Sequence, residues 1–389
     1  MRLTRQGGVP GELGAEGAID SADAVASTQP SEGGASSAGD AADESDFGSS
    51  AGSGQLANST DVLDVEPESQ QAEPETYYAT WRDVADSVES GELAGEGMLP
   101  SGTGAATNPY IIKTPEAFAW YTCLRPQAAA RLAADIDLTS ATYAEGRSCP
   151  AWPGDAALSG SLDGDGHAVL FFTAGAGLFA EITETGSVSW LCLGFTDRQS
   201  DEAAAAGKPA TAVSTAGALA GALAGTNKGK VTGVVNRMGV NAIDDSDAPA
   251  SPALAGGIVA ANDGKISDCA NLGDVANARE ADGATAAGIA AAGSGTVETS
   301  YSAGSLNALA VKPLADPASL DAASAYLSSA DNTEGDPSAL DATALAAAFD
   351  RLNAGRAGDA SVWAAGGDAT RGLPAPAKPK SPGANLVSD

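Results

Sequence analysis

The chemically active residues of this sequence converge on one segment, Asp163-Gly-Asp-Gly-His167, which holds the single histidine of the 389-residue chain. Two further carboxylates, Asp135 and Asp137, precede it. Such a group is compatible with a weak calcium site, or with an acid and base pair that cleaves sugars, which needs carboxyl groups about 5–10 Å apart. The same run is also typical of a plain turn, because Asp supplies local hydrogen bonds and Gly supplies positive φ. We favour the turn and assign no catalytic, cofactor-binding or metal-binding residue.

The sequence lacks the residues that other common catalytic and metal sites require. A Ser/His/Asp triad would have to use His167, and no Gly-x-Ser-x-Gly stands between a strand and a helix; Gly293-Ser-Gly295 falls in a repeat turn. The metallopeptidase motif His-Glu-x-x-His is absent, and one histidine with four cysteines cannot build a His-rich zinc site or a c-type haem site. We therefore predict a protein that is not an enzyme and has no cofactor.

The four cysteines fall into two pairs by context. Cys123 and Cys149 flank the first predicted strands, and an exported chain would tolerate a disulfide between them. Cys192 and Cys269 lie inside strand-like segments, where cysteine usually serves as a small buried hydrophobe.

The charge of the chain excludes two classes of partner. Asp and Glu number 51 against 20 Lys and Arg, giving a net charge of −31, which repels phosphate backbones and anionic lipid surfaces. Residues 1–76 hold 15 acidic and two basic residues with one aromatic, so we predict a disordered acidic tail there. No stretch is apolar enough for a membrane span, and no signal peptide is recognisable. The Pro/Lys-rich C-terminus has the composition of a linker but leads to no further element, so the chain is expected to be truncated or mis-started.

Short helices are predicted on both sides of the middle of the chain. Thr80 precedes Trp81, Val84 and Val88 at helical spacing, and Thr114-Pro115-Glu116 has the residue types of a helix start, so residues 77–130 are predicted to form a helical entry segment. Residues 311–371 are predicted to form a helical closing segment. Within it, Asp341 is the predicted N-cap of a helix that carries Leu345, Phe349 and Leu352 on one face and ends at Gly355. Residues 372–389 are rich in Pro and Lys and are predicted to form a linker.

Residues 131–310 contain an internal repeat. Blocks that begin at Gly221, Gly256 and Ala287 align with offsets of 35 and 31 residues. The alignment makes Val231, Ile266 and Val297 equivalent, and a looser fourth copy ends at Val188. Each block reads as two short strands around a turn, too small to bury its own apolar face, so neighbouring copies must stack.

The repeat predicts an all-β fold, a single-stranded right-handed parallel β-helix (solenoid) with short flanking helices and disordered termini. At about 20–30 residues per coil, we expect six to nine coils. Asn227 and Asn262 stand in equivalent turns, where they would either form a side-chain ladder or adopt the left-handed conformation. A sandwich of antiparallel hairpins is the rival all-β fold.

Five segments resemble a known family, the bacterial surface proteins with GLUG-motif repeats. Residues 256–275 resemble the repeat itself, while Asn108-Pro-Tyr-Ile-Ile-Lys-Thr and Leu132-Ala-Ala-Asp-Ile-Asp-Leu resemble parts of the module that precedes it. Leu162-Asp-Gly-Asp-Gly-His-Ala-Val is similar to a turn of that module, and Leu352-Asn353, Trp363 and Gly372-Leu-Pro are similar to the closing segment. The resemblance implies a non-catalytic extracellular β-helix stalk or adhesin region, a module also found as an accessory part of secreted metallopeptidases.

We therefore expect a cell-surface or secreted structural or adhesion module, monomeric, that presents a β-helical surface to an unknown surface protein or glycan. Nucleic acid and membrane insertion are not expected. The alternatives are a carbohydrate-active β-helix enzyme, lyase or hydrolase, that uses Asp135, Asp137 and Asp163, and an accessory region of a secreted peptidase.

Overall fold

A computed structural model describes residues 80–139, 150–173, 175–194, 212–215, 218–243, 253–278, 284–327, 338–354, 356, 362–366 and 370–378. The predicted acidic tail, most of the predicted C-terminal linker, Cys149 and Gly355 lie outside these residues.

Two ten-residue helices open the described chain, α1 (Trp81–Ser90) and α2 (Pro115–Leu124). Both predicted starts are confirmed. The Thr80 hydroxyl accepts a hydrogen bond from the Asp83 backbone N–H, and the Asp83 carboxylate accepts one from Thr80 N–H, which satisfies two donors at the start of α1. At the start of α2 the Thr114 hydroxyl accepts a hydrogen bond from Ala117 N–H at 3.2 Å.

The strands between residues 110 and 340 form five sheets in which every pair is parallel, so the antiparallel sandwich is wrong. Sheet 1 contains β1 (Tyr110–Ile112), β2 (Ala129–Leu132), β5 (Ser161–Asp163), β9 (Ser187–Ser189), β14 (Lys230–Thr232), β19 (Lys265–Ser267) and β24 (Thr296–Glu298). Sheet 2 contains β3 (Ile136–Asp137), β6 (Ala168–Leu170), β10 (Cys192–Leu193), β15 (Val235–Asn236), β20 (Ala270–Asn271), β25 (Tyr301–Ser302), β28 (Ala325–Leu327) and β29 (Ala339–Leu340).

The other three parallel sheets are smaller. Sheet 3 contains β7 (Phe172–Thr173), β11 (Ala212–Thr215), β16 (Gly239–Ala242), β21 (Val275–Asn277) and β26 (Leu306–Asn307). Sheet 4 contains β12 (Leu219–Gly221), β17 (Leu254–Gly256), β22 (Thr285–Ala287) and β27 (Ala310–Lys312). Sheet 5 contains β4 (Ala157–Leu158), β8 (Phe179–Ile182), β13 (Ala224–Asn227), β18 (Val259–Asn262) and β23 (Ala290–Ala292).

The chain visits these sheets in a fixed order. From β8 to β27 the described strands fall in sheets 5, 1, 2, 3 and 4, and this circuit occurs four times. One repeat therefore comprises five strands and not two, and a circuit is longer than the 20–30 residues expected for a coil. The number of stacked layers still agrees with the six to nine coils expected, since sheets 1 and 2 contain seven and eight described strands.

The strand register confirms the predicted equivalences. In sheet 1, Val231 lies beside Ile266, and Ile266 beside Val297, which are the offsets of 35 and 31 residues read from the sequence. Val188 of the looser copy lies on the other side of Val231. These side chains are at most 1% exposed, and burying one such aliphatic residue contributes about 1.5–3 kcal/mol, so each added circuit extends a continuous apolar column.

Aromatic residues join the two helices to the sheets. The ring of Trp152 lies 5.8 Å from that of Trp81 in α1 and 5.6 Å from that of Phe118 in α2. Its indole N–H donates to the Leu178 carbonyl at 2.8 Å, so this contact satisfies the one polar atom of a buried ring.

The closing segment contains α3 (Ala342–Ala346), α4 (Phe349–Leu352) and an antiparallel pair of strands, β30 (Trp363–Ala364) and β31 (Ala375–Pro376). Asp341 caps α3 as predicted, but the single stretch from 341 to 352 is two helices separated by a turn. This segment packs on sheet 2 as a second apolar core, whose buried members are Val235, Ala270, Leu272, Tyr301, Ala325, Leu345, Ala348, Leu352, Val362 and Trp363.

Candidate functional site

The segment from Asp163 to His167 is a tight turn between β5 and β6. Asp165 has φ +50° and Gly166 has φ +87°, and the Asp163 carboxylate accepts a hydrogen bond from Asp165 N–H at 3.0 Å. His167 N–H donates to the Gly164 carbonyl at 2.8 Å. The predicted turn is confirmed, because the Asp163 side chain bonds the local backbone and Asp165 and Gly166 adopt positive φ.

The earlier carboxylates also bond to groups close to them. Asp135 accepts from Ala168 N–H at 2.9 Å and lies 3.2 Å from the His167 Nδ1, so it orders the start of β6. Asp137 accepts from both the backbone and the hydroxyl of Thr139. Asp163 is the last residue of β5 in sheet 1 and Asp137 the last of β3 in sheet 2, while Asp135 contacts the end of the Asp163–His167 turn.

A lysine from the far end of the chain closes the turn. The Lys378 ammonium lies 2.5 Å from an oxygen of Asp163 and 2.9 Å from one of Asp165. The hydrogen bond from Lys378 holds the pKa of Asp165 below its ordinary value. Partial burial works against the charge on Lys378, yet its two carboxylate partners outweigh burial and raise its pKa. The charges of this turn are therefore bound to one another.

Stacked asparagines form ladders inside the molecule. Asn227 and Asn262 are paired strand residues, and the Asn227 amide donates to the Asn262 side-chain oxygen at 2.7 Å. Of the two predicted alternatives, the ladder is the one that forms. A second ladder runs from Asn236 to Asn271 at 2.8 Å and on to the Ser302 hydroxyl at 3.2 Å. Each amide also bonds the backbone of its own turn, so it positions a corner and links it to the next.

Sequence reasoning missed a buried ionic cluster at Asp268, which is 4% exposed. Arg356 binds the two oxygens of Asp268 at 2.7 and 3.1 Å, in the bidentate geometry that makes such pairs strong. The Thr299 hydroxyl and the Trp363 indole N–H donate to the same carboxylate, at 2.7 and 3.2 Å. The cluster therefore fastens the closing segment to two neighbouring corners of the repeat.

The backbone at these corners has a left-handed conformation, and the residue types found there are a sequence signal for the cluster. Trp190, Gly233, Asp268 and Thr299 follow paired strand positions in sheet 1, and their φ values are 53°, 68°, 58° and 46°. Glycine is the ordinary choice for such a position. Trp190, Asp268 and Thr299 align with Gly233, so each keeps a side chain at a position where glycine would be less strained. This suggests that the side chains make contacts that offset the strain, and the alignment could have identified Asp268.

The closing motif acts through the same cluster. The Asn353 side-chain oxygen accepts from the backbone N–H groups of Val362 and Trp363, both at 3.0 Å, and its amide donates to the Trp363 carbonyl at 2.6 Å. Trp363 then packs on Tyr301, with 5.5 Å between ring centroids, and Tyr301 O–H donates to the Pro374 carbonyl at 2.7 Å. The Leu-Asn, Trp and Gly-Leu-Pro parts of the motif thus meet on sheet 2.

The described cysteines differ in their surroundings. Cys269 is fully buried, as predicted, and burial raises its thiol pKa to about 12. Burial also raises the pKa of Cys123 in α2 to about 11, while its proposed partner Cys149 lies outside the described residues. Cys192 is only half-buried, so the prediction of a core position fails there: its strand β10 faces a surface groove beside Trp190.

Within the described residues, no group of three or more His, Cys, Asp or Glu side chains is arranged to hold a metal ion. None of the helices in the same part of the chain has the length and apolar character that a membrane crossing requires.

Comparisons with known proteins give little to build on. No family model and no curated protein matches the chain. A solved structure from Bacteroides ovatus, of a protein proposed to be an immunoglobulin A1 protease, aligns with 73% of this chain and 98% of its own at 16% identity, with a TM-score of 0.41. A similarity at this level carries no argument about function.

Proposed function

We propose that the five parallel sheets are the faces of a single-stranded right-handed parallel β-helix, and that the chain is similar to the GLUG-repeat surface proteins in fold as well as in motif. The support is the repeated circuit through the sheets in one order, with register offsets that equal the sequence repeat. A solenoid has this property because each coil contacts only its neighbours.

On that fold we propose a non-catalytic role, as a cell-surface or secreted structural or adhesion module that presents its sheet faces to a surface protein or a glycan. One observation carries this proposal: the candidate carboxylates are engaged in the fold. Asp135 and Asp137 bond backbone groups beside them, and Asp163 is paired with Lys378. At least one oxygen of each carboxylate is engaged: Oδ1 of Asp135 and of Asp137, and both oxygens of Asp163. A catalytic acid or nucleophile must reach a substrate, and these bonds compete with that contact.

Polysaccharide cleavage tests the proposal directly. Purified chain is incubated with acidic and neutral polysaccharides, and new reducing ends and unsaturated products are measured over a day. We expect none above a heat-denatured control. The rival enzyme predicts cleavage that Asp163→Asn abolishes, while the exposed control Asp155→Asn keeps it. That pattern would overturn the non-catalytic role.

The location of the protein is tested on intact cells that express it from its own gene. We expect externally added protease to remove the chain while a cytoplasmic marker survives. Survival of the chain until the cells are lysed would contradict a surface or secreted role. Binding of the purified chain to a glycan array would then separate a glycan partner from a protein partner.

A further inference from the structure

The last described residues form an extended strap, residues 370–378, that crosses successive strands of sheet 2. Near its start, Arg371 donates to the Leu272 carbonyl at 3.3 Å, just after β20. The Pro374 carbonyl is bound by Tyr301 of β25. Its last residues line a groove with Trp190, Cys192 and Val235, and Lys378 ends on the turn after β5. The strap therefore runs from late circuits of the repeat back to an early one.

The strap is held unevenly along its length. Its first part is fixed by buried groups: Tyr301 is 0% exposed, and Trp363, which is 3% exposed, pairs through the backbone with Pro376. Ala377 N–H also donates to the Val362 carbonyl at 2.8 Å. Beyond that residue, Lys378 is held by its ion pairs with Asp163 and Asp165, among side chains that are 42%, 30% and 38% exposed. Water competes for such a pair, so it contributes little and opens easily.

The space under the end of the strap is incompletely filled. A cavity of about 320 Å³ lies between Pro376, Ala377 and Lys378 on one side and Trp190 and Cys192 on the other. Apolar atoms that face a cavity lack part of their van der Waals contact. Moving Lys378 alone therefore breaks few contacts besides its ion pairs, whereas lifting residues 370–377 would break backbone hydrogen bonds and expose buried aromatic rings.

We propose that the end of the strap is a releasable latch: Lys378, bound by Asp163 and Asp165, closes over the groove at Trp190 and Cys192. Loss of this ion pair opens the groove while the Trp363 and Tyr301 contacts keep the rest of the strap in place. The latch depends only on the contacts of the strap, so its test is separate from that of the scaffold role.

Cys192 reports the state of the latch. In the closed state burial raises the pKa of its thiol, and Arg237 only partly offsets this effect. Opening admits both water and reagent, so alkylation accelerates because more thiolate forms and because it is reached more easily. Cys269, which is fully buried in the repeat, reports whole-molecule opening in the same sample.

The experiment measures iodoacetamide labelling of each cysteine separately, by peptide mass spectrometry on the full chain. We expect Lys378→Gln to raise the labelling rate of Cys192 about two- to five-fold, the change that corresponds to losing an exposed ion pair. Labelling of Cys269 stays constant. Lys378→Arg keeps the positive charge, so Cys192 should still be labelled slowly. Lys230→Gln makes the same change at an exposed lysine of β14 and should leave the labelling rate of Cys192 unchanged.

Salt gives a second measurement that needs no variant. Raising NaCl from about 0.05 to 1 M should accelerate Cys192 labelling in the unmodified chain, because salt screens an exposed pair, and should leave the Lys378→Gln rate unchanged. The latch is refuted if Cys192 does not respond to either change, or if Cys269 responds with it. A response that grows with protein concentration also refutes it, since the strap would then exchange between copies.

Discussion

Asn227 and Asn262 are both buried, and each side chain bonds its own turn as well as its neighbour. A buried amide left without partners costs about 1–3 kcal/mol per group, so a ladder is stable only when every step is filled. The ladder ends where the third copy has Gly293, at φ +115°, because a Cβ there would lie 1.9 Å from the Asn262 carbonyl oxygen. The Asn262 amide instead donates to the Thr296 carbonyl at 3.2 Å.

Replacing Asn262 with alanine is expected to lower the free energy of unfolding by about 1–3 kcal/mol. The change removes the acceptor of the buried Asn227 amide, while Gly264 N–H keeps its hydrogen bond to the Asn227 carbonyl. Urea unfolding followed by circular dichroism measures the loss. Asn307→Ala, at an exposed position of β26, is the matched control and should change stability by less than about 0.5 kcal/mol. Equal effects of the two variants would show that the ladder contributes nothing.

At the scale of elements, α1 and α2 are joined by Glu89. Its carboxylate accepts from the Trp120 indole N–H at 2.6 Å and pairs with Arg125 at 2.7 Å. The Trp120 hydrogen bond, followed by Arg125, holds the pKa of Glu89 below its ordinary value despite the opposing effect of burial. A depressed carboxyl pKa means that the charged form stabilises the folded state, and that this stabilisation disappears once the carboxyl is protonated.

Glu89→Gln is therefore expected to destabilise the protein at pH 7 and to have no effect at about pH 2.5. The expected loss at pH 7 is about 0.5–1 kcal/mol, since the pair is partly exposed. It shrinks as pH falls below the ordinary glutamate value of about 4.3 and disappears below the lowered pKa of the folded state. Glutamine still accepts the Trp120 hydrogen bond, so the change isolates the charge. Thermal melts of both proteins across this pH range measure the difference.

Glu92→Gln, at an exposed position just after α1, is the control and should follow the unmodified protein at both pH values. A difference between Glu89→Gln and the unmodified protein that persists at pH 2.5 would contradict the assignment, because it would have to come from packing and not from the charge.

The elements were predictable where one local pattern determines them. Thr80 and Thr114 identified two helix starts, and the spacing of Val231, Ile266 and Val297 identified the register of sheet 1. The division of the 341–352 stretch into two helices was not visible, because both keep their apolar side chains toward the same core. The count of strands per repeat was also missed, since strands of two to four residues leave too short a pattern to recognise.

The site was less predictable than the fold. Types and spacing brought Asp163, Asp165 and His167 together correctly, as a local turn. Their partner Lys378 lies more than 200 residues away, in a segment whose composition suggests only a linker. Arg356 and Trp363 likewise reach Asp268 from a distance that no local pattern encodes. These contacts depend on how the closing segment folds back, which only the tertiary structure shows.

For the whole molecule, the charge of −31 no longer has a single meaning. Part of the acid excess belongs to the tail outside the described residues. In the described part, pairs such as Lys228 with Glu181 and Lys265 with Glu298 connect adjacent strands or turns at the surface. Such exposed pairs contribute little stability individually, so the repeat depends on its apolar columns and ladders.

A circuit that pairs only with its neighbours should be removable, provided that the register survives. Deleting residues 231–265, which is 35 residues, places Ile266 directly after Lys230, in the position of Val231 beside Val188. We expect this shortened chain to fold with the same β-type circular dichroism and a cooperative but lower melting temperature. Deleting residues 232–265, which is one residue fewer, shifts every later strand by one position and turns its buried side chains toward solvent. That variant is expected to aggregate or to lose cooperative unfolding. Equal behaviour of the two variants would contradict a structure held together by in-register circuits.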